Sequence, residues 1–258
     1  RMVRGLYIST KKDVLSINLP ISHQALQNSL SRLTERGIIM SPWQNFYVII
    51  PMESRLKGIV PPAFYISNLM KFLGRDYYVS HLTAAAYNGA SHQRAMVFQA
   101  IVNGGPIRSG VKNGTSLEFT RRKQMPMSFV MKVKTQTGYM NVAGPELTAL
   151  DIVDDEKKIG GLSRAAEVLM EMCPSMHWDE SKLQLLPFFS IPTIQRLGFI
   201  LEQIEEMDIA NALFSLILQD KRAMRKTWLK HSKESIAKAN LNNRWKIIDN
   251  YKLEIDDI

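Results

Sequence analysis

The chain has 258 residues, 45% hydrophobic and 22% charged, which is the composition of a folded protein with two domains, or one small and one larger, each able to bury a core. No apolar run approaches the ~20 residues that a membrane helix requires, and no secretory leader is read, so a cytoplasmic protein is expected. The lone Cys173 excludes an intramolecular disulfide framework and points the same way.

The formal charge of +9 is unevenly placed. Residues 1–60 hold eight Lys/Arg against three Asp/Glu, and residues 221–246 hold nine against one. The middle is near neutral and the last twelve residues are acidic. A basic module at one end suits phosphate contact, because each neutralised phosphate releases counterions.

Residues 5–9 read as a short extended piece, and Thr10 offers an N-cap to a first short helix containing Val14 and Leu15. Asn18 to Pro20 make a turn, and Ser22 caps the next helix. There Leu26, Leu30 and Leu33 form one apolar stripe, Gly37 ends the helix and Arg36 suits its negative end. The opposite face carries Gln24, Gln27, Asn28, Ser31 and Arg32. Asn and Gln amides can pair bidentately with adenine, Arg with guanine, and Ser with either base edge. A merely solvated face more often carries Glu and Lys.

After Gly37, IIM and FYVII are two β-rich runs separated by SPWQN, a hairpin signal. Helix, helix and hairpin is the winged helix–turn–helix order, with the second helix in the major groove. The expected DNA contacts are Lys11, Lys12, Ser22, Gln24, Gln27, Asn28, Ser31, Arg32, Gln44 and Asn45. The wing carries no Lys or Arg at its tip, so it would reach DNA through Trp43, Gln44 or Asn45, with Trp43 more suited to covering the core.

PMESRLKGIVPP is a Pro-punctuated linker, which places a domain boundary near residue 58. A mixed α/β region is expected over 59–160 and a mainly helical one over 161–258, an α+β protein overall. PAFYISNLMKFL reads as a helix, and Tyr77 to Val79 lead into an Ala-rich helix that is capped by Ser80 or Thr83 and ends at Gly89. MVFQAIV is a buried strand, KNGTSLEFTRR a hairpin turning at Asn113–Gly114, and SFVMKVKT with YMNVAG a second pair across Gln136–Gly138. Gly144 and Pro145 open a helix with Glu146 in its first turn. LSRAAEVLMEM, ESKLQLLPFF, PTIQRLGFILEQI and IANALFSLILQ follow as helices of a bundle. Residues 221–243 read as an exposed basic connection, and RWKIIDNYKLEID as a strand pair around Asp249–Asn250.

Chemistry is sparse. NGGPIRSG lacks the Lys-Ser/Thr ending of a phosphate-cradling loop. His23, His81, His92, His177 and His231 are scattered, and Cys173 has no partner cysteine for a zinc site. His81 reads as a structural hydrogen-bonding residue near Ser80. Asp151, Asp154 and Asp155 beside Lys157 and Lys158 read as a solvated helix end. Glu118 with Lys123 lacks the second acid that a nuclease site needs. No catalytic set, cofactor or metal site is expected.

RLTERGIIM…NFYVIIP, IVPPAFYISNLMKFLGRDYYVSHLTAAAYNGA, VKTQTGYMNVAGPELTALDIV and NNRWKIIDN together resemble the AbiEi-type antitoxins of abortive-infection, type IV toxin–antitoxin systems. The resemblance runs along almost the whole chain, and the middle block is its most specific part. It implies a non-enzymatic antitoxin and transcriptional autorepressor. Its N-terminal winged helix binds promoter inverted repeats in double-stranded DNA, and its larger part counters a nucleotidyltransferase-like toxin without a stable complex. The stretch before Arg4 is short for the module's usual first helix, so residues 1–58 are expected to lack part of it. Two alternatives stay open: a stand-alone winged-helix regulator with a ligand- or protein-sensing domain, and a DNA-targeted degenerate nuclease or nucleotidyltransferase.

Overall fold

The computed structural model describes residues 8–10, 22–55, 59–90, 96–112, 114–230 and 240–255. The fold is α+β and divides into two compact units, each discontinuous in sequence. The first comprises residues 1–79, 96–125 and 132–141, and the second 80–95, 126–131 and 142–258. The expected first helix, with Lys11 and Lys12, lies outside the described residues.

In the first unit, strand β1 (Ile8–Thr10) is followed by helix α1 (His23–Glu35) and the hairpin β2 (Ile39–Trp43) and β3 (Phe46–Ile49). The α1 boundaries follow from local chemistry. The Ser22 hydroxyl accepts the Ala25 N–H at 3.2 Å, as an N-cap should. At the other end Gly37 sits at φ +63, and the N–H groups of Gly37 and Ile38 reach back to the carbonyls of Thr34 and Leu33. That is a Schellman stop, which needs a residue tolerant of left-handed backbone. Leu26 and Leu30 are buried with Ile39 and Tyr47, and Leu33 and Ile38 close the cluster.

The three strands pair antiparallel in the order β1-β3-β2. The hairpin loop is tighter than the expected SPWQN. Trp43 pairs with Phe46, leaving Gln44 and Asn45 as the turn, with Asn45 at φ +61. Ser41 and Pro42 fall inside β2, where the register shifts between Met40 and Trp43. A bulge is where a strand accommodates proline. The Ser41 hydroxyl reaches the carbonyls of Trp43 and Phe46 at 2.8 and 3.2 Å and holds it closed.

Helix α2 (Ile66–Leu73), shorter than the PAFYISNLMKFL run, buries Ile66, Leu69 and Met70 and stops at Gly74 with φ +64. Pro62–Phe64 form a separate 3-10 turn, and the Phe72 ring of α2 lies 5.6 Å from Phe46. A six-stranded mixed sheet follows: β4 (Tyr77–Val79), β5 (Phe98–Val102), β6 (Gly110–Lys112), β7 (Thr115–Arg121), β8 (Val130–Thr135) and β9 (Gly138–Ala143). Its order is β6-β7-β5-β4-β9-β8, with β5 parallel to β7 and antiparallel to β4. Gly114 takes φ +74 in the tight turn between β6 and β7, where the Asn-Gly signal places it.

The second unit holds the short α3 (His81–Ala85), then α4 (Pro145–Asp154), α5 (Glu156–Ile159), α6 (Leu162–Met172), α7 (Ile191–Gln203) and α8 (Met207–Gln219). Leu147, Ala149, Leu150, Ile152 and Val153 of α4 are all buried, so this helix is covered on every side. Asp151, expected at a wet helix end, is only 1% exposed for that reason. ESKLQLLPFF is two 3-10 segments, Glu180–Gln184 and Leu186–Phe188, and not a helix. Pro187 is the second residue of the second segment and removes an N–H that a continuous α-helix would need.

The basic segment is less free than expected. Arg222 pairs with Asp220 at 2.6 Å and donates to the carbonyls of Leu186 and Phe189, and Leu229 is buried. A small sheet, β10 (Thr227–Trp228), β11 (Asn240–Asn242) and β12 (Ile247–Asp249), closes the unit in the order β10-β12-β11. The turn therefore falls at residues 243–246, and Asp249 ends a strand. Trp245 is fully buried and lies against Gly198 of α7, and it sets the strand ends around it.

Candidate nucleic-acid interface

The Leu stripe of α1 turns Gln24, Gln27, Asn28, Ser31 and Arg32 outward, and all five are exposed, as is Ser22 at the N-terminus. Two contacts organise this face. Gln24 Nε2 donates to Asn28 Oδ1 at 3.2 Å, and Ser31 Oγ donates to Glu35 Oε1 at 3.3 Å. The Asn28 amide nitrogen and the Gln27 amide stay open to a base edge. Glu35, in the last turn, puts a negative charge at the end of the helix away from Ser22.

Gln44 and Asn45 are exposed at the hairpin turn, while Trp43 is half-buried. A groove of about 380 Å³ runs beside this turn, lined by Trp43, Gln44, Arg108, Ser109, Gly110 and Val111. The sequence reading missed the second set because more than sixty residues and several elements separate them from the hairpin. No local periodicity reports such a contact.

The second unit contains a constellation that needs chemical judgement. The Ser80 hydroxyl lies 2.7 Å from His81 Nδ1, and His81 Nε2 lies 3.2 Å from Asp155 Oδ2. These are the residue types of a hydrolytic triad. Yet Ser80 is fully buried, and its hydroxyl is engaged by the ring of its own neighbour. A nucleophile must reach substrate, so the arrangement acts as a structural latch between the start of α3 and the α4–α5 junction. His81 takes φ +51 to make it. Burial alone would raise the Asp155 carboxyl, but hydrogen bonds from His81 and Lys158 outweigh it and hold the group down at about 2.

Glu146 is likewise structural: its carboxylate accepts the His177 N–H at 2.7 Å and pairs with Lys182 at 3.0 Å. Glu118, the nuclease candidate, accepts from Gln99 Nε2 at 2.9 Å on the neighbouring strand. Among the described residues no group of three His, Cys, Asp or Glu side chains is placed to hold a metal ion. None of their helices is long and apolar enough to cross a membrane.

The fold is shared with a solved structure, the RV2827C protein from Mycobacterium tuberculosis, at a TM-score of 0.65 and 13% identity over 94% of this chain and 86% of that one. An antigenic nucleotidyltransferase-like protein from Paracoccidioides brasiliensis matches at a TM-score of 0.41 and 11% identity, covering 58% of this chain and 89% of that one. No curated protein matches. The class is thus an α+β protein whose core follows a known arrangement. Residues 78–203 match the AbiEi antitoxin C-terminal domain, so the chain carries an AbiEi-type antitoxin domain. That domain fits a role in a toxin–antitoxin system and implies a toxin as partner.

Proposed function

We propose that the protein is the antitoxin and transcriptional autorepressor of a type IV toxin–antitoxin operon. Residues 1–58 act as a winged helix–turn–helix that reads promoter inverted repeats, and residues 59–258 counter a nucleotidyltransferase-like toxin. The protein acts in the cytoplasm and has no catalytic turnover of its own. The observation that carries the DNA reading is the outer face of α1. Its amides, hydroxyls and Arg32 stand exposed opposite a buried leucine stripe, on a helix whose N-terminus is capped and whose exit is fixed by Gly37. Such a face can present bidentate donors and acceptors to the major groove. The antitoxin reading rests on the family domain at residues 78–203.

The test is binding of purified protein to a duplex carrying the region upstream of its own gene. Gln27→Ala with Asn28→Ala should cost about 1–3 kcal/mol per lost base contact and leave binding to unrelated duplex unchanged. A double variant that shifts the operator as well as wild type does removes α1 from the reading role. Co-expression with a nucleotidyltransferase-like gene from the same operon tests the other half. Rescue of growth that survives the double variant would separate neutralisation from repression.

A further inference from the structure

We propose that Arg108 supplies the phosphate-contacting cation that the hairpin turn lacks, and that the groove beside the turn seats one backbone phosphate of the bound duplex. This rests on the DNA reading of α1 and names a residue outside the winged module as part of the same interface.

A wing beside a reading helix fixes register by backbone contacts, and those contacts are charge-assisted. The turn residues Gln44 and Asn45 offer amide donors but no positive charge. The fold brings one alongside it. Arg108 lines the groove together with Trp43 and Gln44, and no carboxylate is among the six lining residues. Arg108 is exposed, and among the described residues its guanidinium has no hydrogen bond or ion pair. Two other arginines of this unit are committed: Arg75 donates to the Asn103 carbonyl at 2.8 Å, and Arg122 donates to the Tyr78 hydroxyl at 2.7 Å.

The segment carrying Arg108 is held in place. The Ser109 hydroxyl accepts the Phe119 N–H at 2.9 Å, and Gly110 is in register with Leu117, so both residues after Arg108 are pinned to β7. The Ser109 hydroxyl proton remains available as a second donor to a phosphate oxygen. A planar guanidinium on a fixed base, next to an amide and a hydroxyl, is a phosphate seat that loses little entropy on binding. A Cβ built on Gly110 meets nothing within 4 Å, so that side of the strand is open space.

The test uses the full chain and fluorescence anisotropy with its own upstream duplex, an unrelated duplex and a single-stranded oligonucleotide across a salt series. One lost phosphate contact lowers the slope of log affinity against log salt by about 0.9, which corresponds to roughly eightfold in affinity near ~0.1 M salt. Arg108→Ala should show both changes on operator and unrelated duplex alike, with an unchanged thermal melt. Arg108→Lys should recover most of the affinity. Gly110→Val, which fills the groove without touching charge, should weaken both duplexes in the same way. Wild-type affinity and slope in Arg108→Ala overturn the proposal, and if Gln27→Ala/Asn28→Ala still loses the operator, the reading of α1 survives. A wild-type chain with no duplex affinity overturns both. Stronger binding of the single strand, lost in Trp43→Ala, replaces the phosphate seat with a base-stacking one.

Discussion

Gly198 lies in the interior of α7, where glycine costs a helix about 1 kcal/mol relative to alanine. On propensity alone Gly198→Ala should stabilise the protein. The packing predicts the reverse. The fully buried indole of Trp245 lies over Gly198, and a Cβ there would fall well inside 3.0 Å of ring carbons. The ring has little room to retreat. Phe214 meets it edge-on at 5.1 Å, its backbone N–H donates to Asn242 Oδ1 at 2.9 Å, and Gln195 Nε2 donates to its carbonyl at 2.5 Å. Overpacking a closed site costs about 1–3 kcal/mol, and a held ring belongs near the upper end. Subtracting the propensity gain leaves a net loss of about 1–2 kcal/mol. Urea denaturation followed by circular dichroism measures it, with Trp245→Phe as the second arm of a double-mutant cycle. In the Phe background the extra methyl has space, so Gly198→Ala should become neutral or stabilising. The coupling between the sites should be about 1–3 kcal/mol. A rise in the urea midpoint for Gly198→Ala in the wild-type background refutes the reasoning.

Two further stability predictions concern the polar groups of the second unit. Asp155 has a folded pKa of about 2, below its ordinary 3.8, so its contribution is present above pH ~4 and is lost as pH falls from there toward 2. Its side chain is 32% exposed, so screening reduces the effect to about 1 kcal/mol. Asp155→Asn should therefore lower the urea midpoint at pH 7 and match wild type at pH 2, and an offset independent of pH would contradict the assignment. Glu146→Ala removes the buried carboxylate that the His177 N–H and the Lys182 ammonium share and should cost about 1–3 kcal/mol in the same assay. Glu146→Gln keeps one acceptor and should cost less.

What was legible in the sequence was local. The cap at Ser22, the leucine stripe and the left-handed stop at Gly37 are neighbours along the chain, and α1 forms where they place it. The turn at Gly114 and the strands of β5, β7, β8 and β9 follow in the same way. The strand order β6-β7-β5-β4-β9-β8 was not legible, because alternation reports which face is buried but not which neighbour is paired. SPWQN misled because proline and asparagine signal loops in general, whereas here Pro42 sits in a bulged strand. The C-terminal strands were displaced because Trp245 drives burial from the segment expected to be strand, leaving residues 243–246 as the turn. At the candidate interface, the α1 residues were visible from their side-chain chemistry. Arg108 was not, since nothing near it in sequence marks it as a neighbour of the hairpin.

The division into compact units has a consequence for how this protein can be inherited and engineered. The backbone passes from one unit to the other five times, at 79/80, 95/96, 125/126, 131/132 and 141/142. The antitoxin domain matched over residues 78–203 draws on both. No single break therefore releases either unit whole, and recombination at one point between relatives would graft incomplete pieces of each. Point substitution, rather than a cut at a unit boundary, is then the way to alter α1 while leaving both units whole.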